Sequence, residues 1–300
     1  MGKIYTFAFV GIFVWASFAQ AQMSSTNYQI RWDTISTGGS DSATSTSYDL
    51  RDTMEIGVSG TGTSTSYQLD QGYRTGVFDQ VITFDVFAQD VSSVLVATAL
   101  SGTTITSDTT GISVNDYIVV IQDLGTSNIA AIGKVSSLGA GTITVDEFKN
   151  GGTIPTIDGT NDYVYLLSGS TIAFGDFSSS SIASAVIGWE VTVDNENGYV
   201  VQVVEDGEFR SGSDDIDDVA DGTVTNGSEE YGARSSDTTI AGSTFDTADT
   251  GITSSFQNIA TESTFAFNSR NFLTLKTSIS SSSNAGSYAH SVSVIASGNF

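Results

Sequence analysis

Gly188-Trp189-Glu190-Val191-Thr192-Val193, Asp194-Asn195-Glu196-Asn197-Gly198 and Tyr199-Val200-Val201-Gln202-Val203-Val204 follow one another without a break. Apolar and polar residues alternate on both sides of a polar knot that ends in Asn-Gly. Alternation at period 2 turns one face of a strand to a core. Asn and Gly tolerate the positive φ of a tight turn, so the stretch predicts a β-hairpin. Working outward, short Val-, Ile-, Thr-, Tyr- and Phe-rich runs recur at 114–121, 131–135, 142–145, 163–167, 265–267, 272–276 and 288–295. Gly, Asn, Asp and Ser clusters separate them roughly every 8–12 residues, the spacing of all-β chains. The chain has 31 glycines and one proline, so its turns rest on residues that accept positive φ. Helical periodicity is nearly absent. The expected class is all-β.

Composition narrows function. The 300 residues carry 34 acidic and 10 basic side chains, a net charge of −24. Nucleic-acid binding neutralises phosphates with Lys and Arg, so a chain this acidic is not expected to bind it. With no cysteine there is no disulfide framework, thiolate metal site or thiol nucleophile. The single histidine, His290, leaves one candidate base for a Ser-His-Asp site, and no G-x-S-x-G elbow accompanies it. With so many acids, carboxylate pairs at any chosen spacing carry no glycosidase signal. No enzymatic activity is expected.

The N-terminus reads as an export signal. Met1-Gly2-Lys3 is a short positive segment, 4–18 is apolar, and Ala19-Gln20-Ala21 supplies small residues where a signal peptidase cuts. Residues 1–21 are therefore expected to be removed, which changes the charge from −24 to −25 by loss of Lys3. No later run is apolar enough to cross a bilayer as a helix. A secreted chain without cysteine fits a bacterial exported protein, since about 280 residues bury a core without covalent staples.

Four regions are expected. After the signal peptide, residues 22–79 form a short β-repeat region. Ser25-Thr26-Asn27-Tyr28-Gln29-Ile30 recurs as Ser45-Thr46-Ser47-Tyr48-Asp49-Leu50 and as Ser64-Thr65-Ser66-Tyr67-Gln68-Leu69, with the tyrosines 20 and 19 residues apart. A fixed period of this size marks a stacked unit. Of the 83 Ser and Thr residues, part belongs to this repeat. Residues 89–171 read as a small five- or six-stranded β-barrel. It is inserted into a β-sandwich made of 80–88 and 172–300.

Several motifs carry a resemblance. Asn197-Gly198-Tyr199, Ser211-Gly212-Ser213-Asp214, Asp221-Gly222-Thr223-Val224-Thr225 and the ending Ala285-Gly286-Ser287-Tyr288-Ala289-His290-Ser291-Val292 resemble a family of secreted bacterial surface proteins with Ser-Thr-x-Tyr-x-Leu repeats and a C-terminal β-sandwich. More distantly they are similar to WxL-type surface proteins and pilus subunits. The similarity covers about two thirds of the chain, outside 89–171, and brings no catalytic residues with it. Trp189 is followed by Glu190-Val191 and so departs from the W-x-L pattern. The resemblance implies a secreted, cell-surface structural or adhesive protein that acts by strand pairing and surface contact, as a self-assembling appendage subunit. The alternative is a secreted carbohydrate-binding module, for which Trp32, Trp189, Tyr117, Tyr163 and Tyr165 are the aromatic candidates.

Two local features name candidate residues. Asp214, Asp215, Asp217, Asp218 and Asp221 cluster in sequence. Closely spaced carboxylates can supply several of the six to eight oxygens that calcium takes, although the spacing is not that of an EF-hand. Tyr28, Ile30 and Trp32 alternate on one face of a strand near the mature N-terminus. Such a segment can complete a neighbour's sheet, so the expected partners are further copies of the chain, other surface proteins, or glycans.

Overall fold

The structure is a computed structural model that describes residues 82–299 throughout and, before them, the backbone of six short strands between residues 23 and 71. The signal-peptide expectation falls outside the described residues. The chain divides into two units, Met1–Asp79 and Gln80–Phe300. In the first, β1 (Met23–Ser24) pairs with β2 (Gln29–Ile30), β3 (Gly39–Thr44) with β4 (Asp49–Thr53), and β5 (Gly60–Thr63) with β6 (Gln68–Gln71), all antiparallel. The last two residues of each Ser-Thr-x-Tyr-x-Ile/Leu copy open the second strand of one pair. The repeat in sequence is thus a repeat of two-stranded units.

Among its described residues the second unit is all-β apart from one 3-10 turn at Val91–Ser93. Its first strand, β7 (Ile82–Gln89), leads into β8 (Leu95–Ser101), β9 (Thr104–Ser107), β10 (Tyr117–Gln122), β11 (Ile129–Gly139), β12 (Thr142–Val145), β13 (Lys149–Asn150) and β14 (Tyr163–Gly169). Hydrogen bonding runs β10-β11-β12-β9-β8-β14, and β14 pairs back to β10, which closes a six-stranded barrel. Ile105, Ile118, Val120, Ile143 and Val164 fill it. The run Ile118-Val119-Val120-Ile121 does not alternate because both faces are buried. Ile118 and Val120 point into the barrel, while Val119 and Ile121 pack with Tyr165, Val186 and Phe272 outside it.

The chain continues through β15 (Ala183–Val193), β16 (Tyr199–Glu205), β17 (Phe209–Ser211), β18 (Asp214–Ile216), β19 (Glu230–Ser235), β20 (Gln257–Glu262), β21 (Ala266–Ser278) and β22 (Val292–Gly298). Strands β7-β15-β21-β19 form one sheet of a sandwich, and β20-β16-β22 form the other. Trp189, Val191, Tyr199, Val201, Val203, Tyr231, Leu273 and Leu275 share the core between them. Strand β14 also pairs with β7 at Leu167–Gln89 and Gly169–Ala88, so barrel and sandwich share one hydrogen-bonded path. Arg270, itself buried, ties them further. It donates to Glu190 beside it at 2.9 Å and, in bidentate fashion, to Asp146 at the end of the barrel hairpin.

The opening stretch folds differently from the hairpin its alternation suggested. Strand β15 pairs with β7 and β21, whereas β16 pairs with β20 and β22. Residues 194–198 therefore cross from one sheet to the other. The alternating apolar faces of β15 and β16 meet across the core instead of lying side by side. Gly198 is required at the landing point. Its φ is 70°, and a Cβ there would lie 2.0 Å from the carbonyl oxygen of Glu262. Two further differences concern extent. The runs at 265–267 and 272–276 are one strand, β21, interrupted by a bulge at Asn268 with φ 53°. The terminal strand begins at Val292 rather than at residue 288.

Candidate functional site

The sandwich is open on one side. Strand β22 lies against β7 across the core, and each is short of neighbours. Among the described residues β22 pairs only with β16, and β7 meets β14 only at Ala88 and Gln89. Side chains of β7 at even positions face the core, where Phe84 packs. Ile82 and Val86 share that face yet are 38% and 41% exposed. Inward-facing Val292, Val294 and Ala296 of β22 are likewise only partly buried. At the end of these strands marked by Val86, Ala88, Val292 and Val294 lies a groove of about 1370 Å³, bounded by the segments 169–177 and 283–291. Ile187 and Leu275 line its floor, and Phe174, Phe177 and Phe209 form an aromatic wall with ring centroids 5.7–6.1 Å apart.

At one end of the groove, His290 belongs to a buried polar chain. Its Nδ1 lies 3.1 Å from Glu205 Oε2 and 3.4 Å from the Gly207 carbonyl. Its Nε2 lies 3.1 Å from the Tyr231 hydroxyl. A carbonyl only accepts, so the Nδ1–H tautomer satisfies this arrangement, with Tyr231 O–H donating to Nε2. Burial, with the charges of Asp218, Glu208 and Asp206 added, pushes the Glu205 carboxyl up to about 8. Burial holds the His290 imidazole below its usual range. Both shifts favour a hydrogen bond between neutral groups over an ion pair. Burial also raises Tyr231 far above the ordinary phenol range. Tyr231 is fully buried, whereas His290 lines the groove.

The five aspartates of the sequence cluster make different contacts. Asp214 and Asp215 lie on β18, opposite Ser211 and Arg210 of β17. The backbone carbonyl of Asp217 accepts from Tyr231 N–H. Asp221 accepts from Thr223 N–H in its own turn. Asp218 alone joins a carboxylate group, and its partners are Glu205 and Glu208, with oxygens within 4.8 Å of one another. Burial and the charge of Glu208 push Asp218 up to about 6, and its Oδ1 is buried without a hydrogen-bond partner. These three carboxylates could supply part of a calcium shell, which takes more oxygens than they offer.

The aromatic candidates for a sugar platform are placed inward. Trp189 is fully buried and Tyr165 nearly so. Tyr117 is half-buried and stacks on Phe87 at 4.1 Å between centroids. Tyr163 is half-buried beside Tyr165. Trp32 lies outside the described residues, as does Tyr28 of the candidate assembly strand. Ile30 of that strand ends β2, where its backbone pairs with Met23. Sequence reading missed the Glu205–His290–Tyr231 chain because its members are 85 and 59 residues apart. It missed the groove because 169–177 carries no strand pattern.

No protein-family model, curated protein or solved structure matches the chain. Among the described residues no helix is long and apolar enough to cross a membrane.

Proposed function

We propose that this chain is an exported bacterial protein with a structural or adhesive role at the cell surface, acting by β-strand pairing and surface contact and not by catalysis. The observation that carries this reading is the open side of the sandwich, where two strand edges and an apolar groove lie together. An edge of this kind is a template for pairing with another chain. Three further features support it. The leader 1–21 directs export. The strand-rich, cysteine-free chain is suited to an extracellular role without disulfides. Tyr231, at the inner end of the acid–imidazole–phenol chain, is fully buried. Electron microscopy of the mature protein tests the proposal: filaments or ordered assemblies are expected. Monomers that bind a glycan array would favour the carbohydrate-binding alternative and overturn it.

A further inference from the structure

We infer that the groove of about 1370 Å³ is a binding site for an organic cation, a small molecule with an ammonium head and an apolar tail. The site lies within one chain and needs no assembly. Its wall is a set of rings gathered around Phe209. Phe174, Phe177 and Tyr288 lie 5.7, 5.9 and 6.1 Å from it between centroids. Phe209 is buried, while the other three are half-buried and line the groove. Tyr288 is fixed in place, because its hydroxyl donates to the Asn284 carbonyl at 2.8 Å. A ring held in this way has little freedom left to lose when a ligand arrives. Aromatic faces are negative and attract a cation within about 6 Å of the centroid.

Charge sets the sign of the ligand. Asp176 lines the groove, and neither Lys nor Arg does. Behind Tyr288 the chain packs on β17, with Ala289 bridged to Arg210 and Gly286 against Ser211. Asp214 and Asp215 stand opposite on β18. Burial and the charges of Asp214, Glu229 and Asp215 hold the Tyr288 phenol above its ordinary value. The Arg210 guanidinium is engaged by Asp206 at 3.4 Å and by the Glu208 carbonyl at 3.0 Å. Both ring nitrogens of His290 have partners within the chain. A carboxylate ligand would therefore meet no free counter-charge along the groove, whereas an ammonium meets ring faces backed by carboxylates. The floor sets the tail. Ile187 and Leu275 lie there, and Val86 and Val294 are incompletely covered beside them. These side chains offer no hydrogen bonds, so the part of the ligand against them is hydrocarbon.

Calorimetric titration of the mature chain with matched ligands tests the assignment. Octyltrimethylammonium, octanol and octanoate share a tail and differ in charge. The cation should saturate one site per chain and bind roughly tenfold more tightly than octanol, the scale of a desolvated cation–π contact, with octanoate weakest. Equal affinity for the cation and octanol, or no saturable binding, would overturn the inference. Tetramethylammonium, a head without a tail, should bind more weakly than octyltrimethylammonium by at least about tenfold. Equal affinity for these two would show binding by acidic surface alone and would sink the site. Two variants at Tyr288 locate the head. Tyr288→Leu should lower the preference for the cation over octanol by about threefold and leave octanol binding unchanged, whereas Tyr288→Phe keeps the ring face and the preference. An unchanged preference in Tyr288→Leu would contradict the placement. Ala173→Trp fills the groove from its exposed rim and, with an unchanged circular-dichroism spectrum, should abolish binding of both ligands. Native affinity in that variant would place the ligand elsewhere and overturn the assignment.

Discussion

Glu205 shows how a single buried acid ties stability to pH. Its folded carboxyl is raised to about 8 from an ordinary 4.5. Between those values the folded chain holds a proton that the unfolded chain has released, so stability falls as pH rises from about 4.5 to 8. Asp218, raised to about 6, adds a fall between about 4 and 6. In chelator-containing buffer, thermal melting should therefore show a lower Tm at pH 8 than at pH 5. Glu205→Gln keeps an acceptor for His290 and removes the titrating group. It should flatten that slope and raise Tm at pH 8 by several degrees, since about 1 kcal/mol corresponds to roughly 2–4 °C at this size. An unchanged slope in Glu205→Gln would show that Glu205 ionises normally. Trp189 provides a second residue-scale test. It is fully buried, yet its Nε1 has no partner. Trp189→Ala should cost about 3–5 kcal/mol in denaturant titration. Trp189→Phe should cost less than half as much, because it removes an unsatisfied N–H along with some volume.

At the scale of elements, the sequence declares strands well and their neighbours poorly. Alternation in 188–193 and 199–204 correctly announces β15 and β16, since each has one face in the core. It carries no information about which sheet that face belongs to, so a crossing between sheets and a hairpin look alike. The continuous run 118–121 was legible as a strand, but only the barrel packed against the sandwich explains why both of its faces are apolar. The acidic knot was legible as a cluster in sequence. In the fold, Asp218 of that cluster meets Glu205 and Glu208, which come from another strand and loop. Arg270 gives the element-scale prediction. It bonds Asp146 of the barrel and Glu190 of the sandwich while almost wholly buried. Arg270→Ala should destabilise the unit by about 3 kcal/mol by stranding a nearly buried carboxylate at Glu190. Adding Glu190→Gln should recover part of the loss, and a strictly additive double mutant would contradict the coupling.

For the whole molecule, charge and an incomplete sandwich act in opposite directions. Mature copies, at −25 after loss of Lys3, repel one another over the Debye length, about 30 Å at 0.01 M salt and about 8 Å at 0.15 M. Strand pairing at an open edge is short-ranged. Assembly should thus be faster at 0.15 M than at 0.01 M salt in light scattering; the reverse order would point to a contact made mainly by charge. Amide hydrogen exchange on Val292–Gly298, compared between dilute and assembling concentrations, tests the central claim most directly. Strand addition at the β22 edge predicts strong new protection there on assembly. Equal exchange at both concentrations, with assembly confirmed by mass, would contradict it.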